Sequence, residues 1–179
     1  MLTILEQTSG AASPDLTPAL NGLAELYFYA RRYTEAGALA RRSAAVVEAG
    51  LGGGHPLLAT APQDLAAIYH VQGQYVQAEP LYYRALAVRQ EGAGAAACVV
   101  AVTLSDLAEM ENAQGHYGRA VEHYARAVRI RQDAFGMDDP RVAQTLARYA
   151  AVMRKSCHRQ EAASAEARAR AILAREGFQ

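Results

Sequence analysis

Five histidines, His55, His70, His116, His123 and His158, are the side chains best suited to general acid–base work or to zinc. None stands at a metal-ligand spacing from another His or Cys, except the adjacent Cys157 and His158, which leave a helix in different directions. His116 and His158 hold equivalent places in neighbouring repeats and read as turn residues exposed to water. A nucleophilic Cys157 would need a neighbouring base and an electropositive pocket, and the sequence identifies neither. Gly52-Gly53-Gly54 lacks the Lys-Ser/Thr of a phosphate loop and follows no strand, so it reads as a linker. Asp138 and Asp139 lack the other oxygen ligands of a calcium loop, and Asp139-Pro140 reads as a helix cap. Without an acid/base pair, a nucleophile or a cofactor motif, the expectation is a chain that is not an enzyme and holds no metal or cofactor.

Composition narrows the class. The chain has 179 residues with 18 basic and 18 acidic side chains, a formal net charge of zero. That balance argues against nucleic acid as a partner. Forty residues are Ala, there is no Trp, and Tyr, at 10, is the main large side chain. Small residues suit close helix–helix contact. No apolar run approaches the ~18 residues of a membrane span, and the start has no secretory pattern, so no membrane partner and a cytoplasmic location are expected. Two cysteines cannot form a disulfide framework. High Ala and Arg with a single lysine, Lys155, is the composition of a GC-rich bacterial genome.

Polar residues need elements to hold them, and the elements repeat. A 42-residue shift superposes Leu23/Leu65/Leu107, Ala24/Ala66/Ala108, Tyr33/Tyr75/Tyr117, Ala36/Ala78/Ala120/Ala162 and Arg42/Arg84/Arg126/Arg168. Each unit predicts two helices. Leu65, Ile68 and Tyr69 make one helical stripe, Gln72-Gly73-Gln74 ends it, and Tyr75, Ala78, Tyr82, Ala85 and Val88 make the next. The repeats run 14–50, 56–92, 98–134 and 140–176, after a half-repeat helix over 1–9. Ser13-Pro14 and Asp139-Pro140 mark helix starts, and His55-Pro56 is a weaker signal. Pro18 and Pro62 predict that their helices begin late, near Thr17 and Thr60, or bend there. Pro80 falls early in its helix.

The residues Leu65, Ala66, Tyr69, Gly73, Tyr75, Ala78, Tyr82 and Ala85 resemble the tetratricopeptide repeat. The 42-residue period, with His55-Pro56 and the run Ala78 to Leu86, resembles its kinesin-light-chain type. Departures from the pattern are Arg31 for Gly in the first repeat, and Cys157 for Gly, Arg159 for Tyr and Glu166 for a large residue in the fourth. The resemblance implies an all-α, right-handed α-solenoid of antiparallel helix hairpins, a non-catalytic scaffold whose concave groove holds a peptide or helical segment of a protein partner. The family's first helices line that groove. Position by position they offer Asn21, Glu25 and Phe28, then Gln63, Asp64 and His70, then Ser105, Asp106, Glu109 and Asn112, then Arg148, Arg154 and Lys155. Only Asn21 keeps the paired-asparagine pattern, which argues against capture of a carboxylate. Four Arg against seven Asp/Glu over 101–140, and eight basic against two acidic residues over 141–175, suggest a groove acidic in the middle and basic at its end. The alternatives are an accessory segment of a larger enzyme or regulator, and a module that self-associates through its terminal repeats.

Overall fold

The structure, a computed structural model, describes residue 10 and residues 13–50, 57–91 and 97–176. The half-repeat expected over 1–9, the linker glycines 52–54 and the His55-Pro56 start lie outside the described residues. Among the described residues there are eight α-helices and no strand. The chain divides into two compact units, 1–95 and 96–179.

In the first unit a 3₁₀ turn (Pro14–Leu16) leads into α1 (Thr17–Tyr29), α2 (Tyr33–Gly50), α3 (Leu57–Val71) and α4 (Tyr75–Glu91). Ser13 Oγ accepts a hydrogen bond from the Asp15 N–H at 3.3 Å. Helix α1 begins at Thr17 as expected, because Pro18 falls in the first turn, where its missing N–H has no helical partner. Helix α3 does not take the late start, one of the two expectations for it: it begins at Leu57, not Thr60, and Pro62 lies inside it. Pro62 is the helix's sixth residue, so only the bond to the Leu58 carbonyl is lost, and its ring is buried beside Ala59 and Ala61. Apolar burial of the first turn offsets that loss. Helix α1 packs on α2, α2 on α3, α3 on α4, and α1 also on α3.

The second unit repeats the scheme with α5 (Ala97–Ala113), α6 (Tyr117–Phe135), α7 (Pro140–Lys155) and α8 (Arg159–Glu176), each packed on the next. Asp139 caps α7: its Oδ1 accepts from the Arg141 N–H at 2.8 Å. The Arg141 guanidinium bonds both oxygens of the same carboxylate, which holds Asp139 down at about 2. Asp138 pairs with Arg175 of α8 at 2.8 Å. Both aspartates are thus engaged with the helices around them.

Close hairpin contact comes from alanine. Ala24, Ala66 and Ala108 on first helices, and Ala36, Ala78 and Ala120 on second helices, are all at most 2% exposed. Tyr82 and Tyr124 are the largest fully buried side chains. Replacing Ala78 by Leu is expected to overpack the α3–α4 contact at a cost of roughly 1–3 kcal/mol, read as a lower urea midpoint.

The period also sets the backbone of the hairpin turns. Gly73 and Gly115 have φ of +74° and +82°, and at the same register Arg31 and Cys157 have φ of +59° and +68°. The N–H groups of Arg32, Gln74, His116 and His158, each one residue later, reach back to the carbonyls of Tyr27, Tyr69, Glu111 and Met153. This is the Schellman ending, and it requires the left-handed conformation at the residue before each donor. A side chain there costs about 1 kcal/mol. Cys157 is exposed, so Cys157→Gly removes strain without removing packing. It is expected to raise stability by about 0.5–1 kcal/mol, measured by thermal or urea unfolding.

No described helix is long and apolar enough to cross a membrane.

Candidate functional site

In the first unit the polar residues of α1 and α3 flank an open recess of about 320 Å³. Ala24, Ala67 and Ile68 form its floor, and Phe28 and Tyr29 form its aromatic side. Asn21, Glu25, Thr60 and Asp64 supply its polar groups. The helical spacing explains the grouping. Asn21, Glu25 and Phe28 follow at four and three residues along α1, and Asp64 and Ile68 at four along α3, so each set shares a face. Phe28 is held by edge-on contacts with Tyr29 and Tyr33, at ring separations of 5.9 and 5.6 Å. Tyr29 itself is 74% exposed. Asn21 also has a structural task, since Ser43 Oγ of α2 donates to its Oδ1 at 2.5 Å.

Asp64 is half-buried in this recess and makes no hydrogen bond or ion pair among the described residues. Burial, with the negative charge of Glu25 nearby, pushes its carboxyl up to about 6, and Arg89 only partly opposes the shift. Arg89 is bonded to Gln63. Because the folded pKa lies above the ordinary 3.8, the folded state holds the Asp64 proton more tightly than the unfolded state. Stability contributed by this group therefore falls as pH rises from about 4 to about 6 and stays lost above. Asp64→Asn is expected to stabilise the first unit by about 1–3 kcal/mol at pH 7 and to flatten that pH dependence, measured by urea unfolding at pH 5 and 7.

Two expected groove residues of the first unit turn elsewhere. The Gln63 side chain accepts from Arg89 of α4. The His70 ring lies against Tyr75 and Tyr82 of α4, at 5.9 and 6.4 Å.

In the second unit α5 and α7 oppose each other with complementary charge. Arg148 of α7 pairs with Glu109 of α5. Lys155 Nζ donates to Asn112 Oδ1 at 2.8 Å and stands 5.6 Å over the Tyr117 ring. Acidic α5 and basic α7 thus neutralise one another at Glu109 and Arg148, while Lys155 meets an uncharged amide and a ring face. A smaller recess of about 120 Å³ is lined by Ser105, Asp106, Arg131, Thr145 and Arg148, among others. Ser105 Oγ is committed to the Ala101 carbonyl at 2.8 Å. Arg131 bonds Thr145, and burial lowers its pKa. Arg154 points away from α5, pairing with Glu166 of α8 at 3.1 Å.

One buried charge escaped the sequence reading. Glu111 is 0% exposed, with His116 Nδ1 at 2.7 Å and Arg119 Nη1 at 3.5 Å. An ionised carboxylate only accepts, so His116 Nδ1 donates. In the 42-residue register Glu111 takes the place of Tyr27 and Tyr69. That break in register was the available signal. His123, also near Glu111, has its pKa lowered by burial. Among the described residues, no three His, Cys, Asp or Glu side chains converge as metal ligands.

Antiparallel hairpins at a 42-residue period, with polar recesses between first helices, define a helical-repeat protein of the α-solenoid class. The family model described as "Tetratricopeptide repeat" matches residues 15–91 and 99–175, and the chain belongs to the tetratricopeptide repeat family. Its fold is similar to that of BtubC (BKLC) from P. vanneervenii, at 26% identity over 93% of this chain and 67% of that one, with a TM-score of 0.85. It is also similar to a putative kinesin light chain from Podosopora anserina with nearly identical TPR-like repeats, at 22% identity over 99% of this chain and 84% of that one, with a TM-score of 0.81. MamA shares the fold at 15% identity over 99% of this chain and 86% of that one, with a TM-score of 0.70. No curated protein matches the sequence. The kinesin-light-chain type of repeat expected from the sequence is therefore the type observed.

Proposed function

We propose that the chain is a non-catalytic scaffold that holds a peptide or helical segment of a partner protein against the first helices of its hairpins. The tetratricopeptide fold itself suggests an interaction role. The observation that carries the finer reading is the recess between α1 and α3, which combines an apolar floor with Ala24 and Ile68 buried, an exposed aromatic and carboxylates. Interface anchors are of this kind: aromatic side chains beside a pocket, with polar groups fixing orientation. The α5–α7 face supplies the second contact, through Asp106, Glu109, Asn112, Arg148 and Lys155.

The test is affinity capture from source cells with wild type, Asp106→Arg and Arg148→Glu, read by mass spectrometry. Either variant should lose the captured protein while circular dichroism shows unchanged helicity. Equal recovery by all three would reject the α5–α7 contact.

A further inference from the structure

The chemistry of the α1–α3 recess restricts what can enter it. Its floor of Ala24, Ala67 and Ile68 is apolar, and its aromatic side, Phe28 and Tyr29, offers ring faces. Glu25 and Asp64 bring two negative groups to the same space. Arg89, whose positive charge acts on Asp64, is bonded to Gln63. An acidic side chain would be repelled by both carboxylates. A purely apolar one would strip the remaining water from Asp64 and return no polar contact in exchange. A long cationic side chain satisfies both halves, because its methylene stem covers apolar surface while its head meets carboxylate and aromatic groups.

We propose that this recess is the pocket for a lysine or arginine of the bound peptide, its stem on Ala67, Ile68 and Phe28 and its head against Glu25 and Asp64. The assignment rests on the peptide-scaffold reading above and adds the charge and shape of one anchor residue. The stability that Asp64 costs the free protein is returned when a cation enters. Binding weakens below about pH 6 as Asp64 takes up its proton, and it weakens with salt.

Random dodecapeptides displayed on phage, selected against the full chain and then synthesised for fluorescence anisotropy, test this. Selected peptides should share a Lys or Arg at one position. Their affinity should fall at least about tenfold with Asp64→Asn and more modestly with Glu25→Gln, with unfolding midpoints no lower than wild type. Replacing that Lys or Arg by norleucine, which keeps the stem, should cost as much as Asp64→Asn. Selected peptides without a shared basic residue, or indifferent to Asp64→Asn, would overturn the pocket assignment and leave the scaffold reading standing. Failure to select any peptide would overturn both. Concentration-dependent self-association of the protein abolished by Asp64→Asn would replace the foreign peptide by a second copy and overturn the choice of occupant.

Discussion

Truncating Tyr124 to alanine is expected to destabilise the 96–179 unit by about 3–5 kcal/mol. The side chain is 2% exposed and packs with Ala108, Ala120 and Val152. Two of those neighbours are alanines, which have no side-chain reach to fill the space, so the cavity stays open. The phenol adds a polar tie. Its hydroxyl donates to Glu109 Oε1 at 3.4 Å, and Glu109 also holds Arg148. Burial pushes the phenol pKa well up, so it remains a donor at any working pH. Tyr124→Phe, which keeps the volume, should cost no more than about 1 kcal/mol, because half-exposed Glu109 can take a water instead. The readouts are the urea midpoint and amide exchange across α5, α6 and α7. A cost below about 1 kcal/mol for Tyr124→Ala would contradict the stacked-hairpin core.

The second large effect concerns the turn between α5 and α6. His116→Ala should cost roughly 2–4 kcal/mol, because it removes the 2.7 Å contact of the buried Glu111 carboxylate and leaves it the longer one to Arg119, at 3.5 Å. Removing the carboxylate should behave in the opposite sense. Glu111→Met takes the residue type found at the same register in Met153, which is 4% exposed, and both released partners are already half-exposed, 51% for His116 and 62% for Arg119. Such a change should be neutral or stabilising by about 1 kcal/mol, since a buried ion pair seldom outperforms an apolar replacement of similar size. In the Glu111→Met background, His116→Ala should cost less than about 0.5 kcal/mol. This double-mutant cycle isolates the pair, and additive losses would show that His116 acts through something other than Glu111.

The groove expected to be acidic in its middle and basic at its end has its charges partly paired within the protein. Opposite charges meet across α5 and α7 at Glu109 and Arg148, while Arg154 leaves for Glu166 on α8. Counting charge along the chain could not separate these cases. Arg154 and Lys155 are neighbours in sequence, but consecutive positions on a helix differ by about 100° in direction and so meet different partners.

The hairpin period, the alanine contacts and the places of the four turns were legible in the residues alone, with Arg31 and Cys157 standing at the register of Gly73 and Gly115. Those features depend on backbone geometry and side-chain size, which recur with the 42-residue spacing. Packing in three dimensions, by contrast, brings Glu25 and Asp64 to one recess, turns Gln63 and His70 to α4, and buries and pairs Glu111. Long polar side chains choose among partners brought close by packing, and the choice follows burial and charge in three dimensions, which local spacing does not encode.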